Sequence, residues 1–428
     1  MATKAGRSRT PPWPVVVLVC LLVGCVGACG SGGATADPAV TFSAGVTAAP
    51  TALAAQAAAP SPPLVSSSTQ VSSPPAADPS GRPGPGGPVA GNPATGNGNA
   101  AVGNLAVGNP GGTAAVPAEA AAVDTSHPTR VVGNGTRASC TSDAVVAAVA
   151  AGGVITFACG PAPVTITMTA TAKVVNAASP RVVLDGGGLV TLSGGGRHRI
   201  LYMNTCDQAQ GWTTSHCDDQ DLPSLTVQNL TFADGNSTGD HVEGGGGGAI
   251  FVRGGQFRIV RSAFVDNRCD QTGPDLGGAA VRVLDQFQDR PVYVVASTFV
   301  GGSCSNGGAL SSIGVSWTVL NSVFRDNEAI GSGANPARGG TPGGGSGGAI
   351  YTDGNLFRVL IAGSVVEGNR AAEGGGAVFF VSNDRTGTLT IEKSTLRNNP
   401  SEGFETRGYR GIFFLGSGSP SVTESTLG

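Results

Sequence analysis

Gly247-Gly248-Ala249-Ile250, Gly277-Gly278-Ala279-Ala280, Gly307-Gly308-Ala309-Leu310, Gly347-Gly348-Ala349-Ile350 and Gly375-Gly376-Ala377-Val378 are five copies of one short motif. A second motif, Ser-x-apolar-x-x-Asn, falls between them. It reads Ser262 to Asn267, Ser322 to Asn327, Ser364 to Asn369 and Ser394 to Asn399, and Ser297 to Gly302 is the same unit with glycine in place of asparagine. A period of this length signals stacked units that touch only their neighbours.

Each unit reads as one coil of β-structure. Phe257-Arg258-Ile259-Val260 and Leu389-Thr390-Ile391 have the alternating or apolar character of strands. The glycine pairs mark corners where φ is positive or backbones approach closely. One coil cannot bury its own apolar face. Stacked coils pair strand on strand about 4.8 Å apart and enclose a continuous core. The recurrent Asn suits a turn bonded from coil to coil through its side-chain amide.

These motifs resemble the repeat of the polymorphic outer membrane proteins and, more broadly, bacterial proteins of the pectin-lyase-like fold. The resemblance covers roughly Val154 to the C-terminus. It implies an all-β fold, a single right-handed parallel β-helix over 130–428, with the Ala/Val run Ala144 to Ala151 as a short N-terminal capping helix. Thr141 and Gly152-Gly153 are its start and stop signals. The resemblance is weak about function, because one fold hosts many activities.

The first third of the chain has a different character. Residues 1–29 read as an export signal: Lys4, Arg7 and Arg9 precede an apolar run, Val15 to Val26, which is short for a bilayer span. Small residues before Cys29, followed by Gly30 and Ser31, resemble a bacterial lipobox. Cys29 is the expected lipid attachment site, Cys25 the alternative, and an ordinary cleaved signal or a short uncleaved anchor the third reading. Residues 30–125 are Ala, Pro, Gly, Ser and Thr with hardly a charge, the composition of a disordered linker. The expected location is therefore exported, membrane-anchored through lipid at the cell surface, or otherwise secreted. Net charge is −3 and no basic patch stands out, which argues against a nucleic-acid partner. A monomer is expected.

Six cysteines follow the signal region, an even number that suggests disulfides in an exported chain. Sequence does not determine connectivity; nearest-neighbour pairing gives Cys140 with Cys159, Cys206 with Cys217 and Cys269 with Cys304. Acidic residues gather in two insertions. Asp218, Asp219 and Asp221 are candidate calcium ligands, or a solvated loop. Asp218, Asp240 and Glu243 are the catalytic candidates, with His241 beside the latter two. No regular calcium spacing and no thiol-based metal spacing occurs, so no cofactor is expected, calcium aside. Arg253, Arg258, Arg261, Arg282 and Arg325 read as a solvated face. Trp212, Tyr293, Trp317, Tyr351 and Tyr409 are candidates for stacking on sugar rings, or partly buried packing.

The leading expectation is a surface binding module for a glycan or a cell-surface ligand. The alternative is a polysaccharide lyase or glycoside hydrolase. A carboxylate cluster converging with an arginine on one groove discriminates in favour of the enzyme.

Overall fold

The structure, a computed structural model, describes residues 105–176, 181–211, 213–241 and 245–428. The fold is predominantly β, in three sheets of seventeen, eight and three strands. Among the described residues every strand ladder is parallel, and antiparallel contacts are confined to two isolated bridges. The chain visits the sheets in turn. Ile250–Arg253 lies in the eight-stranded sheet, and Gln256–Val260 and Ala263–Val265 in the seventeen-stranded one. Arg268 then bridges to Ser303 on the third face before Val281–Leu284 returns to the second. Each return falls in register: Ile250 pairs with Val281, Val281 with Leu310, Leu310 with Ile350, Ile350 with Val378 and Val378 with Ile412.

The Ser-x-apolar-x-x-Asn unit makes the bend of the largest sheet. A left-handed residue precedes each Ser (Arg261, Ala296, Asn321, Gly363, Lys393) and each Asn (Asp266, Asp326, Gly368, Asn398). The Ser hydroxyls donate to the carbonyl two residues back and accept the backbone N–H of the neighbouring unit's Ser. These bonds are 3.0–3.1 Å from Ser262 to Ser297, Ser322, Ser364, Ser394 and Ser425 in succession. The Asn side chains do the same at the second turn: Asn369 Oδ1 accepts from Asn327 N, and Asn399 Oδ1 from Asn369 N. Between the two ladders, Phe232, Phe264, Phe299 and Phe324 stack at 5.1, 4.6 and 4.7 Å. The polar turns thus meet their own hydrogen-bonding needs while the apolar position fills the core.

The glycine motif sits at the corner into the eight-stranded sheet, with one change of register. Gly247, Gly278, Gly307, Gly347 and Gly375 have positive φ, and a Cβ on each would strike the carbonyl three residues on. The second copy is therefore Gly278 to Val281, one residue later than the sequence match at Gly277. Ala279 stands where the others have glycine. Asp185 to Gly188, glycine-rich as a corner is, forms a bulge inside one run, Arg181–Ser193.

The helix Ser142–Ala151 has Thr141 as its N-cap, whose hydroxyl accepts from Ala144 N, and Gly152 at φ 66 as its C-cap. Val145 and Val149 are buried, and the helix lies against the strands Arg130–Val132 and Ala172–Lys173. Three disulfides join Cys140–Cys159, Cys206–Cys217 and Cys269–Cys304, with Cα separations of 5.7, 5.0 and 4.8 Å. The third links successive passes of the third face, where Arg268 and Ser303 are bridged.

Two segments depart from expectation. Gly331 to Gly347, a flexible corner by composition, is held by bridges Ser332–Gly343 and Ala334–Gly344 and by Arg338 on Glu373 at 2.6 Å. That guanidinium holds the Glu373 carboxyl below its usual range. Residues 105–125, assigned to the linker, lie on the outer face of the largest sheet. Val123 pairs with Gln228, Ala114 with Asn321 and Thr125 with Asp185. Cys25 and Cys29 lie outside the described residues, as do most of the linker, Trp212 and Glu243.

Candidate functional site

Strand alternation divides the largest sheet into an inner and an outer face. Phe257 and Ile259 point into the core, so Gln256, Arg258 and Val260 point out. Parallel register then aligns outward residues in rows across the stack. One row runs Thr226, Arg258, Tyr293, Thr318, Leu360, Thr390. Beside it runs Gln228, Val260, Val295, Leu320, Ala362, which residues 105–125 cover. The first row remains open as the floor of a trough. Two depressions, about 510 and 450 Å³, meet at Pro291 along it. At about 4.8 Å per strand, the trough from Arg181 to Thr388 is about 30 Å long.

One end of the trough is basic. Arg181, Arg258 and Arg290 line it, against the single carboxylate of Glu119. Arg258 is half-buried: its Nε and Nη2 reach Thr226 Oγ1 at 3.3 and 3.2 Å, and Nη1 donates to the carbonyl of Ala121 at 3.1 Å. Burial lowers its pKa from the usual arginine range. Arg290 donates to Gln256 Oε1 at 3.2 Å and lies over the Phe287 ring. Tyr293 shows part of its ring to the trough, and its hydroxyl reaches Glu119 Oε1 at 3.4 Å. Burial, followed by Glu119, pushes that phenol up. Guanidiniums in a fixed array with an amphipathic ring suit a carboxylated or sulfated saccharide: the fork geometry meets the anion and the ring meets a sugar face.

An acidic corner stands beside this end. The Cys206–Cys217 disulfide closes the insertion and presents Asp218, whose Oδ1 is 2.7 Å from Arg253 Nε. Asp285 Oδ2 lies 3.9 Å from the same nitrogen. Burial first, and then Asp218 beside it, push the Asp285 carboxyl up to about 6, against the pull of Arg253. Asp219 and Asp221 turn to other groups: Asp219 Oδ1 accepts from Gln288 N at 2.6 Å, and Asp221 Oδ1 from Gln256 Nε2. The three carboxylates named as calcium candidates thus engage three different protein groups. Cys206 and Cys217, also near Asp218, are bonded to each other and offer no thiolate.

The raised Asp285 pKa carries a pH signature. Its folded value lies above the unfolded value of about 4, so protonation favours the fold. This stabilisation is complete below about pH 4 and is lost as pH rises through about 6. Because the carboxyl is 47 % exposed, the effect is modest. Asp285→Asn keeps a donor toward Asp218 at every pH. The melting-temperature difference between parent and variant is expected to change between about pH 4 and 6 and to be flat on either side. A difference that is constant with pH would remove Asp285 from this role.

The structure does not bring Asp240 to Asp218. Asp240 pairs with Arg199, which precedes the strand Leu201–Asn204, whereas Arg253 ends the strand Ile250–Arg253. Arg199 is buried and also donates to the carbonyls of Gly246 and Gly247 at 2.8 and 3.0 Å. Asp240 thereby secures a glycine corner. His241 Nε2 is 4.0 Å from Asp270.

The arginines divide by environment rather than forming one solvated face. Arg282 is fully buried and donates to Ser311 Oγ at 3.0 Å, Arg253 joins the acidic corner, and Arg258 lines the trough. Of the aromatic candidates among the described residues, Trp317 and Tyr351 are buried and Tyr409 packs on the core, which leaves Tyr293 facing the trough. Asp285, Arg181 and Arg290 were not singled out by sequence. Each becomes prominent only when stacking sets it beside a residue of another pass. Comparison with known proteins gives no match: no family model, curated protein or solved structure is similar to this chain.

Proposed function

We propose that this chain is an exported binding module for acidic glycans. In this reading the stack is a right-handed parallel β-helix of the pectin-lyase-like kind, with repeats of the polymorphic outer membrane protein type. A lipid on Cys29, or on Cys25 as the alternative, holds it at the cell surface. The observation that carries the reading is the convergence of Arg181, Arg258, Arg290 and Tyr293 on one solvent-open trough. Parallel strands repeat side-chain positions about every 4.8 Å, a spacing suited to an extended polymer that makes several modest contacts.

The test titrates the purified chain with pectate and with a neutral glucan. Pectate is expected to bind more tightly and to weaken with salt. Arg181→Ala combined with Arg290→Ala is expected to lower pectate affinity by about ten-fold and leave weak glucan binding unchanged. Equal affinity for both polymers, or a double variant that binds as the parent does, would sink the acidic-glycan reading.

The second reading is polysaccharide cleavage, favoured by the meeting of Asp218, Asp285 and Arg253 beside the same trough. A carboxyl pushed up to about 6 beside a second carboxylate and an arginine is the kind of group that acid–base chemistry uses. The same pectate incubations, followed for new reducing ends and unsaturated products, separate the readings. Turnover abolished by Asp218→Ala would replace binding by catalysis.

A further inference from the structure

Residues 105–125 are held largely through their backbone, which side chains of the sheet bind at both donor and acceptor. Asn321 Oδ1 accepts from Ala114 N at 2.9 Å while its Nδ2 donates to Ala114 O at 2.9 Å. Gln228 does the same for Val123, at 2.8 and 2.9 Å. Thr298 Oγ1 accepts from Gly108 N at 2.8 Å and donates to Ala106 O at 3.0 Å. Each pair satisfies both the donor and the acceptor of the extended segment, and none of them depends on a strap side chain.

The floor beneath is apolar only where the strap lies. Ala120 is fully buried over Val260, Val295, Leu320 and Ala362. In the next two strands the same row becomes Glu392 and Thr423. A row of Val, Val, Leu and Ala facing outward is a surface built to be covered. What covers it is small: between Gly111 and Ala122 the strap is Gly, Ala, Thr, Pro, one Val and one Glu. Little apolar area anchors it, so the strap opens more easily than the ladders below it.

We propose that this face is a peptide-docking groove whose resident ligand is the chain's own segment 105–125, and that the same segment of a second copy can take its place. The exchange needs no new contact, because both straps are chemically identical and the groove reads backbone and methyl groups. While its own strap is seated the chain is a monomer, since the covalent connection gives that strap a high effective concentration. Exchange links two copies when straps open at high local density.

Two full-length variants test this. One has a defective strap, Ala114→Pro with Ala120→Asp, and an intact groove. The other has an intact strap and a defective groove, Asn321→Ala with Gln228→Ala. Mixed, they are expected to form a one-to-one complex in light scattering, which neither forms alone. The strap-defective chain is also expected to bind a labelled synthetic peptide of residues 105–126 at least about ten-fold more tightly than the parent, whose groove is filled. The proposal is overturned if the folded strap-defective chain binds no peptide, if adding Asn321→Ala and Gln228→Ala leaves binding unchanged, or if the mixture stays monomeric. It is equally overturned if the strap-defective chain fails to fold, since the strap is then an integral part of the body and not a displaceable ligand.

Discussion

Phe299→Ala is expected to destabilise the folded body by about 3–5 kcal/mol, the range for removing a fully buried aromatic ring. Phe299 is 0 % exposed and sits between Phe264 and Phe324, nearly parallel to both, with centroids 4.6 and 4.7 Å away. Phe232 ends the file on one side, and Val366 follows Phe324 on the other. Truncation at the centre therefore removes two ring contacts and leaves a void between two others. The position is also the least supported by its turn. Where neighbouring passes have Asn267 and Asn327, this one has Gly302, which accepts no bond through a side chain. Its backbone alone is met, the N–H by Asn327 Oδ1 at 3.0 Å and the carbonyl by Glu328 N at 2.8 Å. Phe299→Leu keeps most of the volume and should cost less than half as much. Denaturant unfolding of the three chains checks the order. A Phe299→Ala variant as stable as the parent would show that the file does not hold the stack together.

What could be read from sequence follows from how each feature is encoded. The Ser, Phe and Asn positions were legible because each occupies an interior site in every pass and has no alternative partner. The glycine corner was legible in kind but off by one at Gly277, since Gly277-Gly278-Ala279-Ala280 matches the motif by letter, whereas the structural copy, Gly278-Ala279-Ala280-Val281, lacks its second glycine. Only the partner strand decides, by placing Val281 beside Ile250. The strap was illegible for the opposite reason. Its side chains are too small to show a period, and the groove holds it by its backbone. The acidic corner was half legible. Asp218 stood out in an Asp-rich insertion, whereas Asp285 is a lone acid in a tight turn that becomes notable only when Arg253 of the preceding pass lies beside it. The trough was least legible, because Arg181, Arg258 and Arg290 are far apart along the chain and alignment across strands creates it.

Asn369→Ala is expected to cost about 3–5 kcal/mol, more than an asparagine side chain usually contributes. Asn369 is 0 % exposed and serves the passes on both sides. Its Oδ1 accepts from Asn327 N at 3.0 Å and from Asn327 Nδ2 at 2.8 Å, and its Nδ2 donates to the carbonyl of Phe324 at 3.1 Å and to Asn399 Oδ1 at 2.9 Å. Alanine removes all of these at once and orphans two buried N–H groups of Asn327, the backbone one and one of the two on Nδ2, whose other bond goes to the carbonyl of Phe299. Each orphan costs about 1–3 kcal/mol, so the loss exceeds what deletion at the surface would bring. Asn369→Asp separates the parts: a carboxylate can still accept from Asn327, but it cannot donate to Phe324 O or Asn399 Oδ1, and it buries a charge. Asp is therefore expected to be at least as damaging near neutral pH and to recover stability as pH falls and the carboxyl protonates. Arg397→Ala, which removes an exposed pair with Glu367 at 2.9 Å, is the control and should cost less than about 1 kcal/mol. Denaturant unfolding with amide exchange at Asn327 gives both readouts. Equal stability of the Asn369→Ala and Arg397→Ala chains, or an Asn327 amide still protected to the global limit, would show that the asparagine ladder is an ornament of the turn and not its support.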